Sequence, residues 1–169
     1  MSKSIYIFLA FFLCFSLSAA AAGKRPPDAW SFYYFDGTAF SSGQNRDGSA
    51  FIAVKENVQP VVLASNTSHI TLSTLPEGTG VIAGICYVQN SGGKLGNNSV
   101  FTPYPRVPIH ISAGGKPFVT VRTDDYGYFV AVLPSGIYSV GSGPSNAEIA
   151  VERGITTLVP LRVGKRMVD

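Results

Sequence analysis

Downstream of the first two dozen residues, apolar and polar positions change places every one or two residues, and no 3.6-residue apolar stripe of useful length appears. That pattern predicts strands and minimal helix. The clearest run is Thr123 to Tyr138. Phe129, Ala131 and Leu133 alternate there with Tyr128, Val130 and Val132, the period of a strand. Asp124, Asp125 and Gly127 supply a turn before it, Asp by bonding its own backbone and Gly by tolerating positive φ. Pro134-Ser135-Gly136 then reverses the chain into Ile137-Tyr138, so the run reads as a β-hairpin whose turn formers are Asp124, Asp125, Gly127, Pro134 and Gly136.

The same reading predicts strands at Val81 to Val88, Val107 to Ser112, Phe118 to Thr123, Tyr128 to Leu133, Ile137 to Gly141, Ala147 to Glu152 and Ile155 to Val163. Seven strands in fewer than ninety residues is the spacing of a β-sandwich. Between the first two, Gln89 to Arg106 reads as a long loop carrying Gly92-Gly93, Gly96, Pro103 and Pro105. Ahead of Leu75-Pro76-Glu77-Gly78-Thr79-Gly80, the likeliest domain boundary by its turn chemistry, the strands are Trp30 to Phe35, Ala50 to Lys55, Val58 to Ala64 and His69 to Thr74. Pro60 hints that the third of these is an edge. Asp36 to Gly48 reads as loop. The predicted class is therefore all-β: a seven-stranded sandwich over residues 79–163, preceded by a small all-β segment over 30–78, a linker at 23–29 and a C-terminal tail at 164–169.

The first stretch has a different character. Residues 1–22 combine Lys3, an apolar run from Ile5 to Leu17 and the small residues Ser18 to Ala22, the signature of a secretory signal peptide. The apolar run is shorter than the ~20 residues of a comfortable bilayer span, so cleavage would leave a chain of about 147 residues that is secreted or periplasmic and carries no membrane insertion. Cys14 leaves with the leader, which excludes an internal disulfide and makes packing responsible for the fold. Cys86, flanked by Ile85, Tyr87 and Val88, reads as a buried thiol within a strand.

Charge and motif content exclude several functions. Of 13 basic residues, all but Lys3 lie beyond the leader, against 10 acidic ones, and the only basic clusters are Lys24-Arg25 and Arg162, Lys165, Arg166 near the two ends. Nucleic-acid binding needs clustered basic residues on one face, and none is expected here. Asn45 and Asp47 lack the spacing of a calcium loop, and His69 and His110 belong to no His-x-x-Glu sequence. No Gly-x-Ser-x-Gly accompanies His110 and Asp124. Catalytic residues, metal and cofactor are all expected to be none.

Aromatic residues supply the candidate contacts. Trp30, Phe32 and Tyr34 share one face of the first strand, Tyr33 and Phe35 the other. A strand aromatic on both faces is packed inside a sandwich, laid against a partner, or used as a platform on which sugar rings stack. Trp30, Tyr33 and Tyr34 are the candidates there, with Tyr104 and Tyr126 at loop ends of the second half.

The second half resembles the carboxypeptidase regulatory-like domain, a transthyretin-like or prealbumin-like β-sandwich. The residues that carry the likeness are Val81-Ile82-Ala83-Gly84, Val107-Pro108-Ile109-His110-Ile111, Thr123-Asp124-x-x-Gly127-x-Phe129 and Leu133-Pro134-x-Gly136-x-Tyr138. The resemblance implies a non-catalytic companion module and leaves the ligand open, because similar turns occur in Cna-B-type repeats and carbohydrate-binding-like folds. The long 89–106 loop departs from the usual module, and the likeness does not reach residues 30–78.

The resulting expectation is an accessory protein that contacts another protein or a surface polymer, with its first strand either docked in its own chain or exchanged between copies in an oligomer. A carbohydrate-binding module using the exposed aromatics is the alternative. Transthyretin-like binding or hydrolysis of a small ligand comes third.

Overall fold

The computed structural model describes residues 29–43, 48–65, 70–91, 101–143 and 145–167. The leader, the residues around Asn45 and Asp47, His69 and the glycines at 92, 93 and 96 lie outside them. Among the described residues there are twelve strands, in three sheets. The first sheet holds β1 (Ser31–Phe35), β2 (Phe40–Ser42), β3 (Phe51–Lys55) and β4 (Val58–Leu63), in the order β2-β1-β3-β4.

The middle sheet is built on β5 (Thr79–Ser91), the longest strand, which pairs in parallel with β12 (Thr156–Met167) along one side. Along the other side it pairs antiparallel first with β9 (Tyr128–Pro134) and then with β6 (Phe101–Pro103). The far sheet runs β11-β10-β7-β8, with β7 at Pro108–Ala113, β8 at Lys116–Arg122, β10 at Gly136–Ser142 and β11 at Ser145–Val151.

The middle sheet is apolar on both faces because it is packed on both. Ile82 and Cys86 of β5, Phe129, Ala131 and Leu133 of β9, and Val159 and Leu161 of β12 face the far sheet and its Ile109, Ile111, Tyr138 and Val140. The alternate residues, Ala83, Ile85 and Tyr87 of β5 with Tyr128 and Val130 of β9, face the first sheet and its Phe35 and Ile52. The two-faced alternation legible in β9 therefore marks the central layer of three. The first sheet packs directly on the sandwich, and all four of its strands precede it in sequence.

Several expectations are corrected. β9 and β10 do not pair with each other: β9 bonds β5 in the middle sheet, while β10 bonds β7 and β11 in the far one. Pro134-Ser135-Gly136 is thus a corner that carries the chain across the core, not a hairpin turn. Tyr138 fastens it, its buried ring inside the core and its hydroxyl donating to the Pro134 carbonyl at 3.0 Å. A tyrosine bonding back to the backbone a few residues upstream is a known way to hold a sandwich corner.

The strand expected at His69 to Thr74 is absent from residues 70–73, where β4's flank is met only by a single bridge between Val58 and Thr74. Leu72 there is exposed, so the alternation that suggested a strand has no sheet face to fill. Conversely, β2 lies inside the stretch read as loop from Asp36, and β6 inside the 89–106 loop. Both are three-residue strands placed by tertiary contact: Phe40 and Phe101 insert their rings beside Phe35, at 5.6 and 4.8 Å between centroids. β12 continues to Met167, past the expected tail boundary, because β5 itself runs on to Ser91 and offers it a partner.

Two junctions tie the first sheet to the sandwich. Tyr128 is buried, and its hydroxyl donates to the Ala50 carbonyl at 2.9 Å, a bond that spans 78 residues. At the other junction Asn57, at φ 57°, donates its N–H to the Gly154 carbonyl at 2.9 Å, and its own carbonyl accepts from Leu75. Gly154 has no Cβ, which is what lets the Asn57 side chain close on it.

Candidate interaction surface

The turn between β8 and β9 is built by Asp124. Its Oδ1 accepts from the backbone N–H of Tyr126 at 2.9 Å and of Tyr128 at 2.8 Å. Gly127 completes the turn at φ 79°, where a Cβ would lie 2.9 Å from the Cys86 carbonyl oxygen and 3.0 Å from the Tyr104 nitrogen. Burial pushes the Asp124 carboxyl above its ordinary range, against the pull of those two backbone bonds. Asp125, expected to serve the turn as well, points outward instead and pairs with Arg106 at 2.8 Å. The Arg106 guanidinium holds the Asp125 carboxyl below its ordinary range.

Arg106 stands in the segment that leads from β6 to β7, at φ 58°, a left-handed conformation uncommon outside glycine. Its carbonyl accepts from the Arg122 guanidinium at 2.8 Å. Thr123, buried, donates its hydroxyl to the Tyr104 carbonyl at 3.0 Å and accepts from the Val107 N–H at 2.9 Å. Tyr104 donates its N–H to the Cys86 carbonyl at 2.8 Å. Two connections far apart in sequence are thereby held as one unit at one end of the sandwich.

That unit presents two of the candidate aromatics. Tyr104 is 45% exposed and Tyr126 48%, each on a backbone fixed by the bonds just described. The first-strand candidates are placed differently. Trp30 and Tyr34 are half-buried and pack, with Phe32, around Phe51, Ala53 and Leu63 on the side of the first sheet turned away from the sandwich. Tyr33 belongs to the opposite side, aligned with Ile52. Trp30, Tyr33 and Tyr34 therefore do not converge with Tyr104 and Tyr126. β1 itself lies between β2 and β3 of its own chain.

Sequence reasoning missed Arg106 and Asp125 as a pair. Nineteen residues separate them, and no local motif signals an ion pair across two loops. Among the described residues no group of three or more His, Cys, Asp or Glu gathers as metal ligands would, and no helix is long and apolar enough to cross a membrane. His110 lies exposed on β7, its Nδ1 3.1 Å from the Thr120 hydroxyl. Cys86 is buried, and burial pushes its thiol up from 9.0 to about 11.

The protein is an all-β sandwich with a further β-sheet layered on its middle sheet. No family model matches the sequence, and no curated protein matches it. A minor pilin of the gram-positive pathogen Streptococcus agalactiae overlaps 77% of this chain and 66% of its own, at 13% identity and a TM-score of 0.39. The chain thus spans just under two thirds of that pilin's length. At that score and identity the overlap decides neither family nor function.

Proposed function

We propose that the protein is a non-catalytic interaction module that works outside the cytoplasm and makes its contacts through the loop end carrying Tyr104 and Tyr126. The observation that carries this reading is the pairing of exposed tyrosines with a backbone locked from both sides. Large aromatic surface held rigid costs little conformational entropy on binding, which is why tyrosine dominates the anchors of interaction surfaces. Here the Thr123 hydroxyl, the Asp124 carboxylate and the Arg106–Asp125 pair fix the two loops. The signal-peptide pattern of residues 1–22 supports export.

The family reading fits the same picture. The sequence resemblance to a carboxypeptidase regulatory-like sandwich supports this reading, since modules of that kind accompany other proteins rather than catalyse. The partner is a protein or a surface polymer. A carbohydrate ligand is the second reading, favoured at Tyr104 and Tyr126 over Trp30, because half-buried Trp30 contributes to the packing around Phe51.

The test compares the exported chain with its Tyr104→Ala/Tyr126→Ala double variant for retention on cells and on polysaccharides immobilised from the cell envelope. Retention lost at least tenfold with unchanged melting temperature supports the reading. Equal retention overturns it. Competition by soluble glycans separates the carbohydrate reading from the protein one.

A further inference from the structure

A sheet that ends in an unpaired strand exposes a row of backbone donors and acceptors, and proteins blunt such edges with proline, charge, shortness or cover. Most edges of this molecule are blunted. β2 and β6 have three residues each. β4 contains Pro60, and its Gln59 N–H already donates to the Ser73 carbonyl. β12 contains Pro160 and bears Arg162 and Lys165 toward its end, and the Thr157 hydroxyl bonds the Ala150 carbonyl of β11.

Of the edges that remain, β9 is largely buried and β8 is the most exposed. It closes the far sheet, and six of its seven residues are exposed. Only its first part is protected: Lys116 and Pro117 precede a bulge, where Ile111 pairs with Val119 but Ser112 with Pro117. The bulge leaves Phe118 without a partner on β7 and tips its ring against Tyr138, 5.4 Å between centroids. Phe118 and Val119 remain 51% and 38% exposed at the open flank of the sandwich. Val119 to Val121 is regular, β-branched strand ending at the charged Arg122, and no described strand pairs on its outer side.

We propose that two copies of the chain pair antiparallel along β8, with Thr120 facing Thr120 of the partner subunit, to make one continuous eight-stranded sheet. Three features select a second copy and this register. Val119, whose side chain lies on the core side opposite Ile111, falls beside Val121, which shares that side, so the apolar flank of each sandwich is covered by the other. The exposed Thr120 residues meet as a threonine pair, a favourable cross-strand combination. Beyond the bulge, Lys116 of each copy is carried toward the acidic Asp124-Asp125 turn of the other, where Asp125 also pairs with Arg106. Slipping the register by two residues, to centre on Val119, brings Lys116 toward Arg122, a like charge. A one-residue slip turns the apolar side of one copy toward the polar side of the other. This interface adjoins the tyrosine surface at the Asp124-Asp125 turn, but the pairing along β8 does not use Tyr104 or Tyr126.

Cysteine cross-linking reads the register directly. A disulfide needs Cα atoms roughly 4.4–6.8 Å apart, which residues directly opposite in an antiparallel pair satisfy. Thr120→Cys is expected to form a covalent dimer under mild oxidation, whereas Lys116→Cys, eight positions out of self-register, stays monomeric on a non-reducing gel. Sedimentation equilibrium of the unmodified exported chain is expected to give a dimer mass at high concentration, and Lys116→Glu to weaken that dimer at least fivefold. A monomer mass throughout, or a cross-link at Lys116→Cys without one at Thr120→Cys, overturns the proposal.

Discussion

Replacing Tyr128 by Phe removes one oxygen and nothing else, at the point where the first sheet meets the sandwich. The ring stays, so its tilted contact with Phe40, 6.4 Å between centroids, is kept, and no cavity larger than a hydroxyl opens. What is lost is the 2.9 Å bond to the Ala50 carbonyl, which then lies buried without that donor. A buried polar group deprived of its partner costs about 1–3 kcal/mol, and about 2 kcal/mol is expected here. In a protein of this size that is a fall in melting temperature of roughly 4–8 °C.

The same variant carries a pH signature. Burial pushes the Tyr128 phenol up to about 12, although a backbone hydrogen bond from Phe35 pulls the other way. An unfolded chain ionises this phenol near 10.0, whereas the folded one holds its proton longer. The tyrosine's stabilising contribution is therefore complete below pH 10 and is lost as pH rises from 10 toward 12, by about 1.4 kcal/mol per pH unit across the window. The gap between parent and Tyr128→Phe should narrow correspondingly above pH 10. Urea denaturation at pH 7 and at several alkaline values measures both quantities. A variant within about 0.3 kcal/mol of the parent at pH 7, or a gap that does not change with pH, refutes the role assigned to this hydroxyl.

Other positions give sharper local tests. Gly127→Val should destabilise by more than ~1 kcal/mol, because a β-branched residue tolerates φ 79° poorly and its Cβ would press on the Cys86 carbonyl; an unchanged denaturation midpoint would count against the turn. Gly84→Ala should cost at least about 1–3 kcal/mol by overpacking, since its Cβ would run into the Val159 backbone carbonyl of β12 as well as the Phe129 ring, 2.7 Å away. Cys86 should label slowly with thiol reagents until the chain unfolds; rapid labelling of the native protein would show the core open. Its raised thiol should also draw about 2 kcal/mol of stability away as pH climbs from 9 to 11, a loss that Cys86→Ala would not display. Arg106→Ala should leave the melting temperature unaltered, because the pair with Asp125 is exposed, while weakening retention through Tyr104 and Tyr126.

Much of the fold is legible in the sequence where a strand's neighbours impose a pattern on it. β9 is the best case: Phe129, Ala131 and Leu133 fill one core while Tyr128 and Val130 fill another, so both registers of the alternation are apolar and both are used. The corner after it is misread as a hairpin because Pro-Ser-Gly terminates a strand equally well in either arrangement. What distinguishes them is the destination of Tyr138, and that is tertiary information. β2 and β6 escape notice for a related reason: each is three residues long, too short to display a period, and is held by an aromatic cluster assembled from Phe35, Phe40, Tyr87 and Phe101. At the candidate surface, Tyr104 and Tyr126 are visible as aromatics in turn-rich sequence. Their convergence is not, since it depends on Arg106, Thr123 and Asp125 meeting across the loops.

The central claim is that the first sheet is an integral layer of the molecule, held to the sandwich through Tyr128, Asn57 and the aromatic cluster. Trp30, the sole tryptophan, lies in the first sheet, whereas Cys86 lies in the core between the other two. Equilibrium unfolding followed simultaneously by Trp30 fluorescence and by Cys86 thiol accessibility tests the claim most directly. One coincident transition with a shared midpoint and slope is expected. A Trp30 transition complete while Cys86 remains protected would contradict it.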